Sequence, residues 1–366
     1  MHWALPIQYL LTNRFEIMTH EFIQIVQKFR KEQQQGVKCV LATVVLLEGS
    51  SYRRPGVRML ITENNEMIGA VSGGCVEKEV LKQSASVFLT GIPKVMTYDG
   101  RYRLGCEGIL YILLETFTPS HEMLLAFDDC LSNRAHYHIK SYFDKSLEPN
   151  PDFGSRIIFD KEQSYHFNRN KSEVTQTANL LFFEQFLEPS QQLIIIGAEH
   201  DAAQVSLCAS FLGWDVLVVT HPADQQTTNN FPGARSLIHS LPEKFPLELV
   251  KKQTAVVLMN HNYAKDLGFL TVLLQADFFY LGILGPVKRR EKLLSDIMDM
   301  DPQMDISLLE KVHAPAGINL GSETPQEIAV SICSEILAVQ RKEEPCFLKN
   351  KSGKIHEETH CVNHNN

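Results

Sequence analysis

No CxxC pair occurs anywhere in this chain, although it carries eight cysteines, at positions 39, 75, 106, 130, 208, 333, 346 and 361. That scatter excludes a zinc ribbon and a compact disulfide scaffold, and a reducing cytoplasm is the simplest expected location. A basic surplus is missing too. The formal charge is −8, and no basic stripe with interleaved aromatics is present, so nucleic acid is not an expected partner. No apolar run is long enough to span a bilayer, and no membrane association is expected. The apolar segment from Trp3 to Leu11 is short, lacks a basic leader and a small-residue cleavage site, and is soon followed by Arg14 and Glu16. Residues 1–18 are therefore expected to be an extension outside the fold.

What is present is enough chain, 366 residues with 44% apolar content, for two domains that each bury a core. Thr19 is placed to cap a helix whose face carries Phe22, Ile25, Val26 and Phe29. The run Cys39 to Leu47 reads as a buried strand. Turn chemistry and two arginines follow, in Glu48-Gly49-Ser50-Ser51-Tyr52-Arg53-Arg54-Pro55-Gly56. Arg58–Glu63 and Glu66–Val71 form an expected hairpin around Asn64-Asn65. A helix then stops at Gly91, and strands are expected at Lys94–Tyr98 and Ile109–Glu115. These elements outline a mixed α/β domain over residues 19–118. Residues 119–190 read as a connector with a helix near Met123–Leu131 and strands near His136–Phe143 and Leu180–Leu187. From residue 191 to 341 the pattern becomes regular β-α alternation, with apolar strands at Leu193–Ile196, Val216–Val219, Ala255–Met259 and Phe278–Leu281, as in a Rossmann-like, doubly wound parallel sheet. Residues 342–366 form a polar tail without regular metal-ligand spacing.

The stretch Ser72-Gly73-Gly74-Cys75-Val76-Glu77 carries the densest chemistry. Adjacent glycines allow backbone angles that turn N–H groups toward an anion, and Cys75 would sit at the positive end of the following helix. That setting favours a thiolate, so Cys75 is expected to alkylate faster than Cys208 at neutral pH. A thiolate beside an anion cradle suits a soft metal, a sulfur-transfer intermediate or a phosphorylated cofactor; a tight turn ending in a buried cysteine is the plainer alternative. Gly105-Cys106-Glu107-Gly108 is a second Gly-Cys turn of the same kind.

After the strand Leu193–Ile196 comes Gly197-Ala198-Glu199-His200-Asp201-Ala202, in the place of a G-x-G-x-x-A loop. Its middle glycine is Glu199, whose bulk and charge oppose a pyrophosphate. The next strand ends Val219-Thr220-His221 rather than in the Asp or Glu that holds a ribose. NAD is therefore not an expected cofactor. Other polar groups cluster at strand ends: Asn260-His261-Asn262, Gly282 to Arg290, and His313-Ala314-Pro315-Ala316-Gly317. Ligands of open α/β sheets bind at those carboxyl ends. Each histidine taken singly also has a plain role as a cap or a satisfied core residue.

Together these residues resemble the XdhC/CoxI family of maturation factors for xanthine dehydrogenase and related molybdenum hydroxylases, over about Thr19 to Arg341. In the first domain the resemblance rests on Glu48-Gly49-Ser50 with Arg53, Pro55 and Gly56, on Val71 to Glu77, and on Gly105 to Gly108. In the second it rests on Gly197, His200, Gly213-Trp214, Leu284-Gly285, Arg289-Arg290, Pro315, Gly317 and Thr324 to Ala329. It implies a non-catalytic accessory protein that binds the molybdenum cofactor (molybdopterin), supports exchange of a terminal oxo ligand for sulfido with a cysteine desulfurase, and delivers the product to an apo molybdenum hydroxylase, acting as a homodimer. Soft, anionic dithiolene and a terminal phosphate would want thiols, glycine N–H groups and arginines. On that basis Cys75 and Cys106 are candidate metal contacts. Ser50, Arg53, Arg58, Ser72, Gly73, Gly74 and Glu77 are candidate cofactor contacts, with Gly197, His200, His261, Gly285, Arg290 and His313 second in rank. The family's loop usually reads Gly-x-Gly-His and its second strand usually ends in Asp, and Glu199 and Thr220 depart from both.

Two other readings compete. An NAD(P)-type oxidoreductase would use the Rossmann-like half despite Glu199. A thiol redox protein would pair Cys75 with Cys106, which requires Cα atoms within roughly 7 Å.

Overall fold

Strand β1 (Cys39–Glu48) is apolar almost end to end because it is covered on both faces. The computed structural model describes residues 17–49, 54–72, 74–100, 108–159, 163–171, 180–302 and 306–350. They fall into two compact units, Met1–Ser190 and Gln191–Asn366.

In chain order the first unit contains α1 (Ile17–Gln34), β1, β2 (Arg58–Thr62), β3 (Met67–Gly69), α2 (Cys75–Thr90), β4 (Lys94–Asp99), β5 (Ile109–Thr116), α3 (His121–Ser132), β6 (Tyr137–Phe143), β7 (Gly154–Ile158), β8 (Ser164–His166) and β9 (Leu181–Leu187). Five strands form an antiparallel sheet in the order β3-β2-β1-β5-β4. Alternate side chains of β1 go to opposite layers, as the two-residue repeat of a strand requires. Val40, Ala42 and Val44 meet Val76, Val80 and Val87 of α2. Cys39 and Leu41 belong instead to a core with Phe22, Ile25 and Phe29 of α1, Phe127 of α3 and Ile139 of β6. Residues 119–190, expected to connect, carry α3 and a second antiparallel sheet in the order β8-β7-β6-β9, packed into that same core. Thr19 does not cap α1: the helix begins two residues earlier, and the buried Thr19 hydroxyl donates to the Glu188 carbonyl at 2.6 Å.

The second unit contains β10 (Gln192–Ile196), α4 (His200–Phe211), β11 (Asp215–Thr220), β12 (Ser236–His239), β13 (Thr254–Leu258), α5 (Tyr263–Leu273), β14 (Tyr280–Ile283), α6 (Val287–Met300), β15 (Val312–His313) and α7 (Pro325–Arg341). The six strands are parallel in the order β12-β11-β10-β13-β14-β15, so the winding reverses between β10 and β13. Leu193 and Ile195 face a layer that includes Val205 of α4 and Ile332 of α7. Ile194 and Ile196 face Leu270 of α5 and Leu293 of α6. This is the mixed α/β unit followed by a doubly wound unit that the patterning implies. The fourth apolar strand runs Tyr280–Ile283, two residues later than the hydropathy places it.

The turn after β10 depends on one glycine. Gly197 has φ +149, and a Cβ there would lie 2.5 Å from the Met259 carbonyl oxygen. Its N–H bonds to Val219 at 2.9 Å, tying the turn to the neighbouring strand. Gly197→Ala should therefore destabilise the second unit by about 1–3 kcal/mol. Thermal unfolding checks this, and an unchanged midpoint would show that the turn relaxes freely.

Candidate functional site

Cys75 is the first residue of α2, directly after Gly74, whose φ of 116 places it in the left-handed region. The start of the helix closes on the carboxylate of its own third residue. Glu77 accepts from the Ser72 N–H at 2.7 Å, the Ser72 hydroxyl at 2.7 Å and the Gly74 N–H at 2.9 Å. The Ser72 oxygen in turn accepts from the Val76 N–H at 3.3 Å. This is one half of a capping box, since Gly74 has no side chain to complete it: the third helical residue reaches back to satisfy donors left over at the helix start. Burial pushes the Glu77 carboxyl up, but the Ser72 hydroxyl and the N–H groups of Glu77, Ser72 and Gly74 outweigh it, and the net shift is downward.

The bend thus differs from the cradle expected of the sequence. The donors of Ser72 and Gly74 point to Glu77, and an arriving anion would compete with a carboxylate for them. Glu77 is a clamp on the turn. Arg58 is corrected as well: it is buried, donating to the Gly56 carbonyl at 2.9 Å and to Gln185 Oε1, with its guanidinium 5.7 Å from the Phe22 ring. Burial lowers its pKa to about 10, against the favourable charges of Tyr137 and Glu115. A side chain locked into the core of the first unit does not reach a soluble phosphate. Ser50, Arg53, Gly73 and Cys106 lie outside the described residues, as does the Cys75 side chain.

In the second unit the parallel topology sets Gly197, His261, Gly285 and His313 at the carboxyl ends of β10, β13, β14 and β15. His200 opens α4 and is exposed, as are Arg290 on α6 and His261, whose Nε2 is 3.8 Å from Asp201. Glu199 stands exposed at the N-cap of α4 without accepting a capping bond. Thr220, at the end of β11, shares a 2.8 Å hydrogen bond with His239 Nδ1. The turn therefore offers carboxylates where a pyrophosphate needs donors.

His313 is held differently. Its Nδ1 is 3.2 Å from Glu335 Oε1, and its ring stacks on Tyr280 with centroids 4.5 Å apart. Glu335 Oε2 also accepts from the Tyr280 hydroxyl at 2.6 Å and the Gly317 N–H at 2.7 Å. Burial pushes the Glu335 carboxyl up, yet the bonds from His313, Tyr280 and Gly317 bring it below its ordinary value. Burial and the Glu335 charge push the Tyr280 phenol well above its own. Gly285, with φ 131, gives a close approach for the Arg289 side chain, which pairs with buried Asp266 at 2.5 Å.

A thiol pair escapes the sequence reading. Cys208 of α4 and Cys333 of α7 lie in the same packed layer, and the neighbouring Cys333 thiol lowers the Cys208 thiol against the opposing effect of burial. The Cys208 neighbour, together with burial, raises Cys333. The available signal is helical spacing: Ala329, Ile332, Cys333 and Ile336 share one buried face, and Cys208 packs on that layer beside Val205 and Ala209.

With this geometry in view, two family models match the chain: the XdhC and CoxI family at residues 32–99 and the XdhC Rossmann domain at residues 193–336. The chain belongs to the XdhC/CoxI family. It is 29% identical over 322 residues to a Bacillus subtilis protein named as a probable xanthine dehydrogenase subunit, covering 83% of this chain and 94% of that one. It is 23% identical over 353 residues to the molybdenum cofactor insertion chaperone PaoD of Escherichia coli, covering 94% of this chain and 96% of the relative. A Bacillus halodurans protein, whose crystal structure is described as that of a xanthine dehydrogenase, shares the fold with a TM-score of 0.68 and 24% identity, over 87% of this chain and 96% of that one.

Two outcomes are expected of these sites. Because the Glu77 pKa is depressed, its stabilisation is complete above the ordinary carboxylate value of 4.5 and is lost as pH falls through the folded-state value. Glu77→Gln should lower stability by about 1–2 kcal/mol at pH 7, with the gap to wild type closing in acid. Thermal melts across pH check this; a gap independent of pH would deny the carboxylate its charge-dependent role. Cys333→Ala should return the Cys208 thiol toward its ordinary value and slow its alkylation at pH 7. An unchanged rate, followed by mass spectrometry of the Cys208 peptide, would remove Cys333 as the cause.

Proposed function

We propose that this protein is a non-catalytic, molybdenum-cofactor-binding chaperone for a xanthine dehydrogenase-like molybdenum hydroxylase. Family membership and the cofactor-insertion role named for the Escherichia coli relative support the reading. The observation that carries it is Cys75 at the first position of α2, behind a left-handed glycine. A thiol there lies at the positive end of the helix dipole, which favours the thiolate and suits a soft, anionic metal-dithiolene. That fit is specific to Cys75: the donors of Ser72 and Gly74 serve Glu77, and Arg58 is internal.

Bound cofactor would bring the metal and its exchangeable terminal ligand; the chain's part is to hold that group and keep it from water until transfer. In this reading Cys75, with Cys106, contacts the metal or carries sulfur transiently. Ser50 and Arg53 meet the phosphate end. A cysteine desulfurase supplies sulfur, and the protein works as a cytoplasmic homodimer. Among the described residues no helix is long and apolar enough to cross a membrane.

Protein purified from a molybdopterin-producing host should release a fluorescent oxidised pterin in near-stoichiometric amount. Cys75→Ala should lose most of it while melting at the wild-type temperature. No pterin on the wild type would defeat the chaperone reading, whereas full retention by Cys75→Ala would defeat only the thiol contact.

A further inference from the structure

We infer that the first unit encloses a site for ordered water in the seam between its two sheets, built by Arg58, Thr43 and Tyr137. Strand parity puts the first two on one side of the five-stranded sheet. Leu41 of β1 and Leu60 of β2 face the core shared with α1, α3 and β6, and Thr43 and Arg58 stand two residues along the same strands. Thr43 and Arg58 are also Cα partners in the β1–β2 ladder, so their side chains are direct neighbours. Tyr137 reaches the same place from β6. Its ring centroid is 6.1 Å from that of Phe22, and the Arg58 guanidinium lies 5.7 Å from the same Phe22 ring.

All three residues are buried. Arg58 Nη1 is taken up by the Gly56 carbonyl and Gln185 Oε1, but Arg58 Nε, Arg58 Nη2, the Thr43 hydroxyl and the Tyr137 hydroxyl find no partner among the described residues. The neighbouring Thr19 hydroxyl gives its hydrogen to the Glu188 carbonyl. Buried polar groups in folded proteins are nearly always hydrogen-bonded, and where no protein atom serves them an internal water does.

The chemistry of the lining selects water over an ion. Guanidinium N–H groups only donate, whereas hydroxyls both donate and accept, so the occupant has to accept from Arg58 and can donate to Thr43 or Tyr137. Water does both. A metal cation would meet the Arg58 charge, and the nearest carboxylate along β5, Glu115, directs both oxygens to Ser155. Glu115 and Glu21 already set negative charge around Arg58, which opposes a further anion. The water would complete the clasp that Arg58 and Gln185 close on Gly56, where a Cβ would lie 2.6 Å from Gln185 Nε2. This inference does not rest on the molybdenum-cofactor reading.

The test is a crystal structure of the full-length protein, a second crystal soaked in bromide, and thermal melts of Thr43→Val and Tyr137→Phe. Density for a water within about 3.2 Å of Arg58 Nε or Nη2 and of at least one of the two hydroxyls is expected, with no anomalous bromide peak there. Each variant keeps the shape of its side chain and removes one hydroxyl. A hydroxyl bonded to water is missed, so both midpoints should fall by about 2–4 °C, whereas loss of an unbonded one leaves the midpoint unchanged or raises it. A site without water density, bromide in its place, or an unchanged or raised midpoint in either variant would overturn the proposal, and the wild-type crystal decides it where a variant fails to fold.

Discussion

The bend from Ser72 to Glu77 is held by a charge inside its own loop. Three donors converge on the Glu77 carboxylate, from the Ser72 N–H, the Ser72 hydroxyl and the Gly74 N–H. Hydrogen bonds to an ionised acceptor are stronger than neutral ones, and here they fix the point at which α2 begins. The position of Cys75 is a consequence. If the first helical turn slipped by one residue, Cys75 would no longer be the residue that opens the helix. The same bonds engage the N–H groups of Ser72 and Gly74, which an arriving anion would otherwise use.

A second internal charge shapes the rest of the first unit. Glu115 is buried on β5, accepting from the Ser155 N–H at 2.8 Å and the Ser155 hydroxyl at 2.5 Å. Burial raises its pKa, and the Ser155 bonds together with the charges of Lys171 and Arg58 offset part of that rise. Ser141 continues the chain at 2.7 Å from the Ser155 hydroxyl. These groups join β5 of one sheet to β6 and β7 of the other, with every bond reaching across elements separated in sequence. Breaking such a network from one side leaves a buried charge unpaired, which is costlier than never having built it.

That distance explains what could and could not be read from the chain. β1, β10 and β13 are continuous apolar runs, and α2 ends at Gly91, a left-handed residue whose N–H bonds to Val87. These features are local, and the two-unit α/β plan follows from them. β7, β8 and β12 are three to five residues long and half polar, so no period marks them. Arg58 follows turn chemistry and looks superficial; Gln185, 127 positions away, helps bury it. Glu77 resembles part of a binding motif because a capping box and a ligand loop use the same residue types. His313 stands out in sequence, but its partners Tyr280 and Glu335 come from β14 and α7. Cys208 and Cys333 meet only because α4 and α7 pack on the same face of the sheet.

The two units treat the same electrostatic problem in opposite ways. Each begins a helix with a glycine-containing turn, and each has a glutamate within that turn or just after it. In the first unit Glu77 folds back and is consumed by N–H groups, which neutralises the loop from within. In the second, Glu199 precedes the helix, makes no capping bond and stays exposed, with Asp201 two residues on. A helix N-terminus ordinarily attracts anions; this one meets them with carboxylates. The β-α-β scaffold of a nucleotide-binding fold thus persists while its phosphate-binding element is reversed in sign. Selection for stability alone would not require an exposed glutamate where a cap such as Ser or Asp would bond the helix start. The charge opposes a diphosphate at that helix start, where the fold would otherwise offer donors.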